Sequence, residues 1–408
     1  MRLHIEKSTA HGRVQAPPSK SMAHRLLLAA GLAEGESTVC RVPPGADVLA
    51  TLDCLRALGA ECRITGSTVF VRGVLPEQFK KEAVLPCRES GTTLRFLIPV
   101  CLLSAETTRF SGAARLFERP LDAYADLCRL RGMTFARGKR ELSVRGPLLP
   151  GHFTLPSNVT SQYVSGLLFA LPQLPGDSLI RLAGAPESRP YIDMTLSALA
   201  AFGVRAAWQG ETALTVPGGQ RFSPASVSVE GDASAAAVFA ALNLFGGSVE
   251  VTGVASDTLQ GDRVYANCFN ALAADTPTLS LTDCPDLGPI LFVAAALCRG
   301  ATFTGTQRLA FKESDRAHAM AEELAKCGAS VAVREDSVTI EKTPLFAPVL
   351  PLSAHGDHRV AMALAVLLTA LGGDLDGCEH VQKSMPDFFE KLASLGVGIG
   401  PAAKGDTP

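Results

Sequence analysis

Short polar phrases rich in Ser, Thr, Asp and Gly alternate along this chain with runs of small apolar residues, and the alternation is regular. Six such phrases occur: Ser19-Lys20-Ser21, Glu89-Ser90-Gly91-Thr92-Thr93, Asn158-Val159-Thr160-Ser161-Gln162, Glu230-Gly231-Asp232-Ala233-Ser234, Cys284-Pro285-Asp286-Leu287 and His355-Gly356-Asp357-His358-Arg359. Measured at Lys20, Gly91, Ser161, Asp232, Leu287 and Asp357, they stand 71, 70, 71, 55 and 70 residues apart. So even a period argues for one duplicated supersecondary unit. Hydroxyl or carboxylate side chains ahead of an apolar run are helix-capping signals, so each phrase predicts a helix start. The runs 287–298 and 360–371 are too short to span a bilayer and predict buried helices.

After each apolar run come a turn and a strand-like stretch, as at Gly246-Gly247-Ser248-Val249-Glu250-Val251 and Gly300-Ala301-Thr302-Phe303-Thr304. A second, amphipathic helix follows and stops at glycine, at Gly59, Gly132, Gly203, Gly328 and Gly396. The fourth unit, ending near Ala274, lacks that glycine and is the shortened one. Each unit thus reads as strand, buried helix, strand, amphipathic helix, strands. Three units can close around their apolar helices into one domain, which gives a mixed α/β fold of two domains, each built from three βαβαββ units as an inverted α/β barrel-like prism. The irregular step after Asp232 puts the join near residue 230.

Composition narrows the class. With 408 residues, 47% of them hydrophobic, the chain has ample core for two or three domains. A formal charge of -2 leaves no polyelectrolyte footprint, so no nucleic-acid partner is expected. The opening Met1-Arg2-Leu3-His4-Ile5-Glu6 alternates like a strand and has no secretory apolar core, and the eleven cysteines include no CxxC pair. An odd number of thiols among apolar neighbours predicts reduced core cysteines and a cytoplasmic address, with no membrane association.

Candidate chemistry lies at the helix starts. If the buried helices of each half run side by side, their N-termini gather at one end, where free N–H groups and the macrodipole favour anions. Lys20, Arg25, Arg95 and Arg359 come from the buried-helix starts, and Arg119, Lys312, Arg316 and Lys383 from the segments leading to the second helices. Taken singly each is an ordinary capped or surface residue; their recurrence at equivalent repeat positions points to anion binding. His355 and His358 stand three apart, but no thiol pair or carboxylate cluster flanks them, so no metal is expected. Neither G-x-x-x-x-G-K-[ST] nor G-x-G-x-x-G between strand and helix is present, and no nucleotide cofactor is expected.

Pro18-Ser19-Lys20-Ser21 with Arg25, Ser90-Gly91-Thr92-Thr93-Leu94-Arg95, Glu118-Arg119-Pro120, Thr160-Ser161-Gln162, Arg189-Pro190-Tyr191-Ile192-Asp193, Glu230-Gly231-Asp232, Pro285-Asp286, Lys312-Glu313-Ser314-Asp315-Arg316, Asp357-His358-Arg359 and Lys383 closely resemble, in order, the 5-enolpyruvylshikimate-3-phosphate synthases. The resemblance implies that the first strand joins the second half, giving domains 1–14 plus 230–408 and 15–229 with an active site in the cleft between them. It implies transfer of the enolpyruvyl group of phosphoenolpyruvate to the 5-hydroxyl of shikimate 3-phosphate, through a tetrahedral intermediate and with release of phosphate. By that likeness Lys20, Ser21, Arg25, Thr160, Ser161, Gln162, Ser188, Asp286 and Lys312 hold shikimate 3-phosphate. Lys20, Gly91, Arg95, Arg119, Gln162, Glu313, Arg316, Arg359 and Lys383 hold phosphoenolpyruvate. Asp286 accepts the hydroxyl proton, Glu313 exchanges a proton with the methylene carbon, and Lys20 assists at the reacting centre. The resemblance further implies a monomer without cofactor.

One departure concerns Glu89, where many members carry Asn. A carboxylate there would repel phosphoenolpyruvate unless turned away or paired, so no binding role is carried onto it. Arg308, where some members have Asn, is given no role either. Like charges about 4 Å apart cost on the order of 4 kcal/mol at an effective dielectric near 20, so gathered cations predict a free protein that is open and closes on anionic ligands. Three rivals follow from the same architecture or charge. The transferase acting on UDP-N-acetylglucosamine usually carries Lys-Asn where Lys20-Ser21 stands, and a Cys in the loop near Arg119. RNA 3′-phosphate cyclases need a polyanion partner. A non-catalytic anion binder gives no reason for Asp286 and Glu313.

Overall fold

The computed structural model describes residues 1–402, a mixed α/β chain in two compact units. One unit comprises 18–230; the other comprises 1–17 together with the chain from Gly231 onward. Each has its own hydrophobic core.

In the 18–230 unit the same sheet is built three times. Strand Val84–Arg88 lies parallel to Thr108–Gly112, which pairs antiparallel with Glu141–Arg145, and Thr134–Arg137 closes the hairpin at the edge. Helix Gly91–Cys101 connects the first two strands, and Asp122–Leu130 precedes the hairpin. The sheet of His152–Pro156, Ser178–Ala183, Ala213–Val216 and Ala207–Gln209 repeats this order, with helices Gln162–Ala170 and Arg189–Ala201. The remaining sheet takes its first strand, Ser226–Ser228, from the far end of the unit. That strand lies parallel to Glu36–Cys40, with helices Lys20–Gly31 and Ala46–Leu58 in the usual places.

The other unit varies the theme. Thr278–Ser280, Gly300–Thr304, Ser337–Glu341 and Ser330–Val333 form one full sheet, with helices Gly288–Leu297 and Arg316–Ala325. In the sheet of Leu352–Ser353 and Gly373–Asp376 the antiparallel strand is Arg2–Ile5, so the chain start completes a sheet begun some 350 residues later. The shortened fourth unit is a two-stranded sheet, His11–Gln15 parallel to Ser248–Thr252; its second helix, Tyr265–Ala274, leads straight into the next unit without a hairpin.

The apolar runs become buried helices because no face of them prefers water. Gly288–Leu297 is buried from Gly288 through Ala296, and His358–Leu371 from His358 through Thr369. A buried helix start must still satisfy its free N–H groups. Ser19, Ser90, Asp232 and Asp357 do so, accepting from the amides of Met22, Thr93, Ala235 and Arg359. The five glycine stops all have positive φ, from 68° at Gly132 to 121° at Gly59, conformations that a side chain disfavours. All eleven cysteines are free thiols, eight of them buried.

Candidate active site

In the 18–230 unit the helix starts come together through side chains. Lys20, first residue of its helix, sends Nζ to Asp47 Oδ2 at 3.0 Å in the first turn of the neighbouring helix. Thr93 Oγ1 lies 2.7 Å from both Ser90 Oγ and Thr51 Oγ1, and Thr51 in turn meets His24 Nδ1 at 2.7 Å. Burial, with Lys20 and Arg25 nearby, holds the His24 imidazole well below its usual value, so it is neutral here.

Arg95 and Gln162 join two of the helix starts. Arg95 donates to Gln162 Oε1 at 2.9 Å and to the Pro120 carbonyl, while Gln162 Nε2 donates to Thr92 Oγ1 at 2.9 Å. The Gln162 amide donates to Thr160 Oγ1 at 3.2 Å, and Ser161 is buried as the residue ahead of that helix. Tyr124, beneath this junction, donates to the backbone carbonyls of Arg95 and Tyr163, both at 3.0 Å. Gly91 sits where a side chain would collide: an added Cβ would lie 2.7 Å from a terminal nitrogen of Arg119 and 2.9 Å from one of Arg95. The absent side chain is what lets two guanidinium groups lie against one helix start.

Arg25 is 2% exposed, and each of its three nitrogens donates to a protein oxygen: Thr195 Oγ1, the Ser21 carbonyl and the Tyr191 carbonyl. The two terminal nitrogens each carry a second N–H. Burial pushes its pKa down to about 10, which still leaves it charged at neutral pH. Ser188 is buried in the left-handed region at φ 55°, a strained conformation for a non-glycine residue.

The other unit is organised on one arginine. Arg316, first residue of its helix and 2% exposed at the side chain, reaches Asp357 Oδ2 at 2.7 Å, Asp286 Oδ1 at 2.8 Å and Glu313 Oε2 at 2.9 Å. Asp286 is faced by two further cations, Lys312 at 3.2 Å on Oδ1 and Arg359 at 3.2 Å on Oδ2. Lys383 donates to the Gly356 carbonyl at 2.8 Å, one residue before the Asp357 cap. Burial opposes the charge on Arg316, but Asp357, Glu313 and Asp286 overcome it and hold its pKa above the usual value. Burial likewise opposes ionised Asp357, and Arg316 overcomes it, so that carboxyl sits below its usual range. Lys312 is shifted down, chiefly by burial.

Two groups of sequence-predicted residues are therefore assembled, one in each unit. Lys20, Gly91, Arg95, Arg119, Thr160 and Gln162 gather in the first, with Ser21, Arg25 and Ser188 on neighbouring segments. Asp286, Lys312, Glu313, Arg316, Arg359 and Lys383 form the second. Glu89 is exposed, and Arg88 pairs with Asp53. Arg308 is buried and donates to the Thr282 carbonyl. His355 binds Glu323 at 2.7 Å in a cluster whose acid also receives Lys326. Asp47, Thr51 and the anchoring role of Asp357 escaped sequence reasoning; Asp357 alone left a signal, as a cap inside a motif.

A family model described as EPSP synthase (3-phosphoshikimate 1-carboxyvinyltransferase) matches residues 5–392. This chain belongs to the EPSP synthase family. A 3-phosphoshikimate 1-carboxyvinyltransferase of Clostridium acetobutylicum is 36% identical over 410 residues, covering 94% of this chain and 95% of the relative. One from Clostridium botulinum strain Alaska E43 is 34% identical over 411 residues, with the same coverage. Among solved structures, EPSP synthase from Acinetobacter baumannii superposes with a TM-score of 0.78 at 23% identity, covering 99% of this chain and 100% of that one, a likeness of fold. The repeated sheets described above are thus an EPSP synthase architecture.

Proposed function

We propose that this chain transfers the enolpyruvyl group of phosphoenolpyruvate to the 5-hydroxyl of shikimate 3-phosphate, releasing phosphate. The observation that carries the reading is the Arg316 hub, which holds Asp286 and Glu313 on neighbouring nitrogens while Lys312 and Arg359 also face Asp286. Both substrates bear phosphate and carboxylate, so they need concentrated cations; a plain anion binder needs no acid and base beside them. Membership of a family whose relatives are named for this activity supports it.

In the sequence of steps that follows, Asp286 takes the proton of the 5-hydroxyl as that oxygen bonds to C2 of phosphoenolpyruvate. The surrounding cations favour its carboxylate form. Glu313 gives a proton to C3, making a methyl group in a tetrahedral adduct. In the second step Glu313 takes a proton back from C3, the C2–O bond to phosphate breaks, and phosphate leaves with the proton that Asp286 had taken, so both acids return to their starting state. Lys20, Ser21, Arg25, Thr160, Ser161, Gln162, Ser188 and Lys312 hold shikimate 3-phosphate in this reading. Lys20, Gly91, Arg95, Arg119, Gln162, Arg316, Arg359 and Lys383 hold phosphoenolpyruvate. Anchoring on Arg95 and Thr92 gives Gln162 a fixed amide to offer, and the spare N–H groups of Arg25 suit a carboxylate or phosphate. Eleven free thiols favour a reducing, cytoplasmic setting, and we expect a monomer.

Phosphate release with phosphoenolpyruvate plus shikimate 3-phosphate, measured against UDP-N-acetylglucosamine as acceptor, tests the assignment. Release should require shikimate 3-phosphate; release with the nucleotide sugar alone would overturn it. Asp286→Asn should keep ligand affinity within a few-fold and lose roughly 100-fold or more in turnover, the usual scale for a general base. Undiminished turnover would remove Asp286 from the mechanism.

A further inference from the structure

Asp262 is a buried carboxylic acid that the reaction scheme leaves unused. It lies in the turn Gly261–Val264 ahead of helix Tyr265–Ala274 and is 2% exposed. Ser234 Oγ donates to its Oδ2, while its Oδ1 has no hydrogen-bond partner among the described residues. The turn is fixed to the start of helix Ala233–Ala240 by Gln260, whose Oε1 accepts from the Ala233 amide at 3.0 Å and whose Nε2 donates to the Gly231 carbonyl at 2.7 Å. The turn that carries Asp262 therefore cannot lift away to water without undoing that helix start.

Every packed neighbour matters to its charge. Asp232 and Ser234 face it from helix Ala233–Ala240 and its cap, Cys268 from Tyr265–Ala274, Cys284 and Asp286 from ahead of Gly288–Leu297, and Arg359 from His358–Leu371. Arg359 is the cation that most favours the ionised form there, and it is shared with Asp286. The wider cluster already sets the cations Lys312, Arg316, Arg359 and Lys383 against the carboxylates Asp232, Asp286, Glu313 and Asp357. Arg308 beside Lys312 and Asp283 beside Cys284 add one charge of each sign, so an ionised Asp262 would be negative charge in excess. Burial first, then the Asp286 charge, push its pKa up to about 7.

We propose that Asp262 is a positioning residue that takes up a proton when the anionic substrates bind, so that Arg359 and Asp286 face them without a competing buried charge. This rests on the transferase reading above. Phosphoenolpyruvate brings further negative charge toward Arg359, which raises the cost of a second buried anion beside it. The protonated acid leaves Arg359 to ligand and Asp286. It also fixes the sign of a pH effect: as pH rises above about 7, Asp262 ionises more readily in the free protein, and binding must reprotonate it, so affinity for phosphoenolpyruvate falls with rising pH.

The test is calorimetric titration of phosphoenolpyruvate into protein saturated with 5-deoxyshikimate 3-phosphate, which lacks the attacking oxygen, at pH 7.5 in buffers of different ionisation enthalpy. Wild type should take up roughly three-quarters of a proton more than Asp262→Asn, the amount expected at this pH when a group near pKa 7 becomes fully protonated. Asn keeps the shape and an acceptor for Ser234. Should that variant fold poorly, Ser234→Ala removes a hydrogen bond that favours the ionised form, and the pH of greatest proton uptake should move upward. Equal proton counts in wild type and Asp262→Asn, or an unmoved maximum in Ser234→Ala, would overturn the proton-uptake role and leave the transferase assignment standing. No binding of phosphoenolpyruvate at all would overturn both.

Discussion

Arg316 illustrates how a buried ion behaves when its partners surround it. Its guanidinium lies within 2.9 Å of three carboxylates, and Asp357 is fully buried. Arg316→Met leaves Asp357 charged and without that partner in the interior, which costs about 3–5 kcal/mol by the usual measure of a broken buried pair. The deficit should depend on pH in a fixed direction. In wild type Asp357 has a depressed pKa, so the stability it contributes is present above its ordinary value of 3.8 and is lost as pH falls through the depressed one. In Arg316→Met the carboxyl can neutralise itself earlier, so the gap between the two proteins should narrow from pH 7 toward pH 4. Urea unfolding at several pH values reads this; a constant gap would mean that Arg316 stabilises by packing alone.

Helix starts suit the proposed chemistry because they combine unsatisfied N–H groups with positions reachable from neighbouring segments. Gly91 is the sharpest case, since helix Gly91–Cys101 begins with the one residue that admits Arg95 and Arg119 at under 3 Å from where a Cβ would stand. Gly91→Ala should displace the Arg119 guanidinium, which offers two atoms within 2.9 Å of the added Cβ, more than Arg95, which offers one and is tied to Gln162 and Pro120. The expected result is a KM for phosphoenolpyruvate raised about tenfold, equivalent to ~1.4 kcal/mol, with the KM for shikimate 3-phosphate much less affected. Steady-state kinetics in both substrates decides it, and an equal rise in the two constants would point to a general loosening of the helix.

The molecule as a whole divides the cations proposed to hold substrate between two units with separate cores. If both serve a single substrate, removing one cation from either should be felt by the same ligand. Arg119→Met in the 18–230 unit and Arg359→Met in the other should each raise the KM for phosphoenolpyruvate at least about tenfold, since a cation paired with a ligand anion is worth roughly 1.5–3 kcal/mol. Unaltered kinetics in one of the two variants would confine phosphoenolpyruvate to the other unit.

The repeats, the six buried helices and four of their caps were legible from residues alone, because capping groups and apolar runs act within a few residues of chain; the phrases at Ser161 and Asp286 start helices without a side-chain cap. Ser19, Ser90, Asp232 and Asp357 cap where the polar phrases stand, and glycine ends the second helices where the sequence has it. The likeness of Lys312 to Arg316 and of Asp357 to Arg359 to family motifs named the chemistry before any coordinate did. What the chain could not declare in advance is who meets whom across hundreds of residues. That Arg2–Ile5 completes a sheet with Gly373–Asp376, that Ser226–Ser228 completes another with Glu36–Cys40, and that Arg316 draws together Asp286 and Asp357 follow from closing the cores. Such pairings depend on burial, which is a property of the packed whole: local spacing sets which residues begin a helix, and only tertiary packing sets which charges are left together out of water.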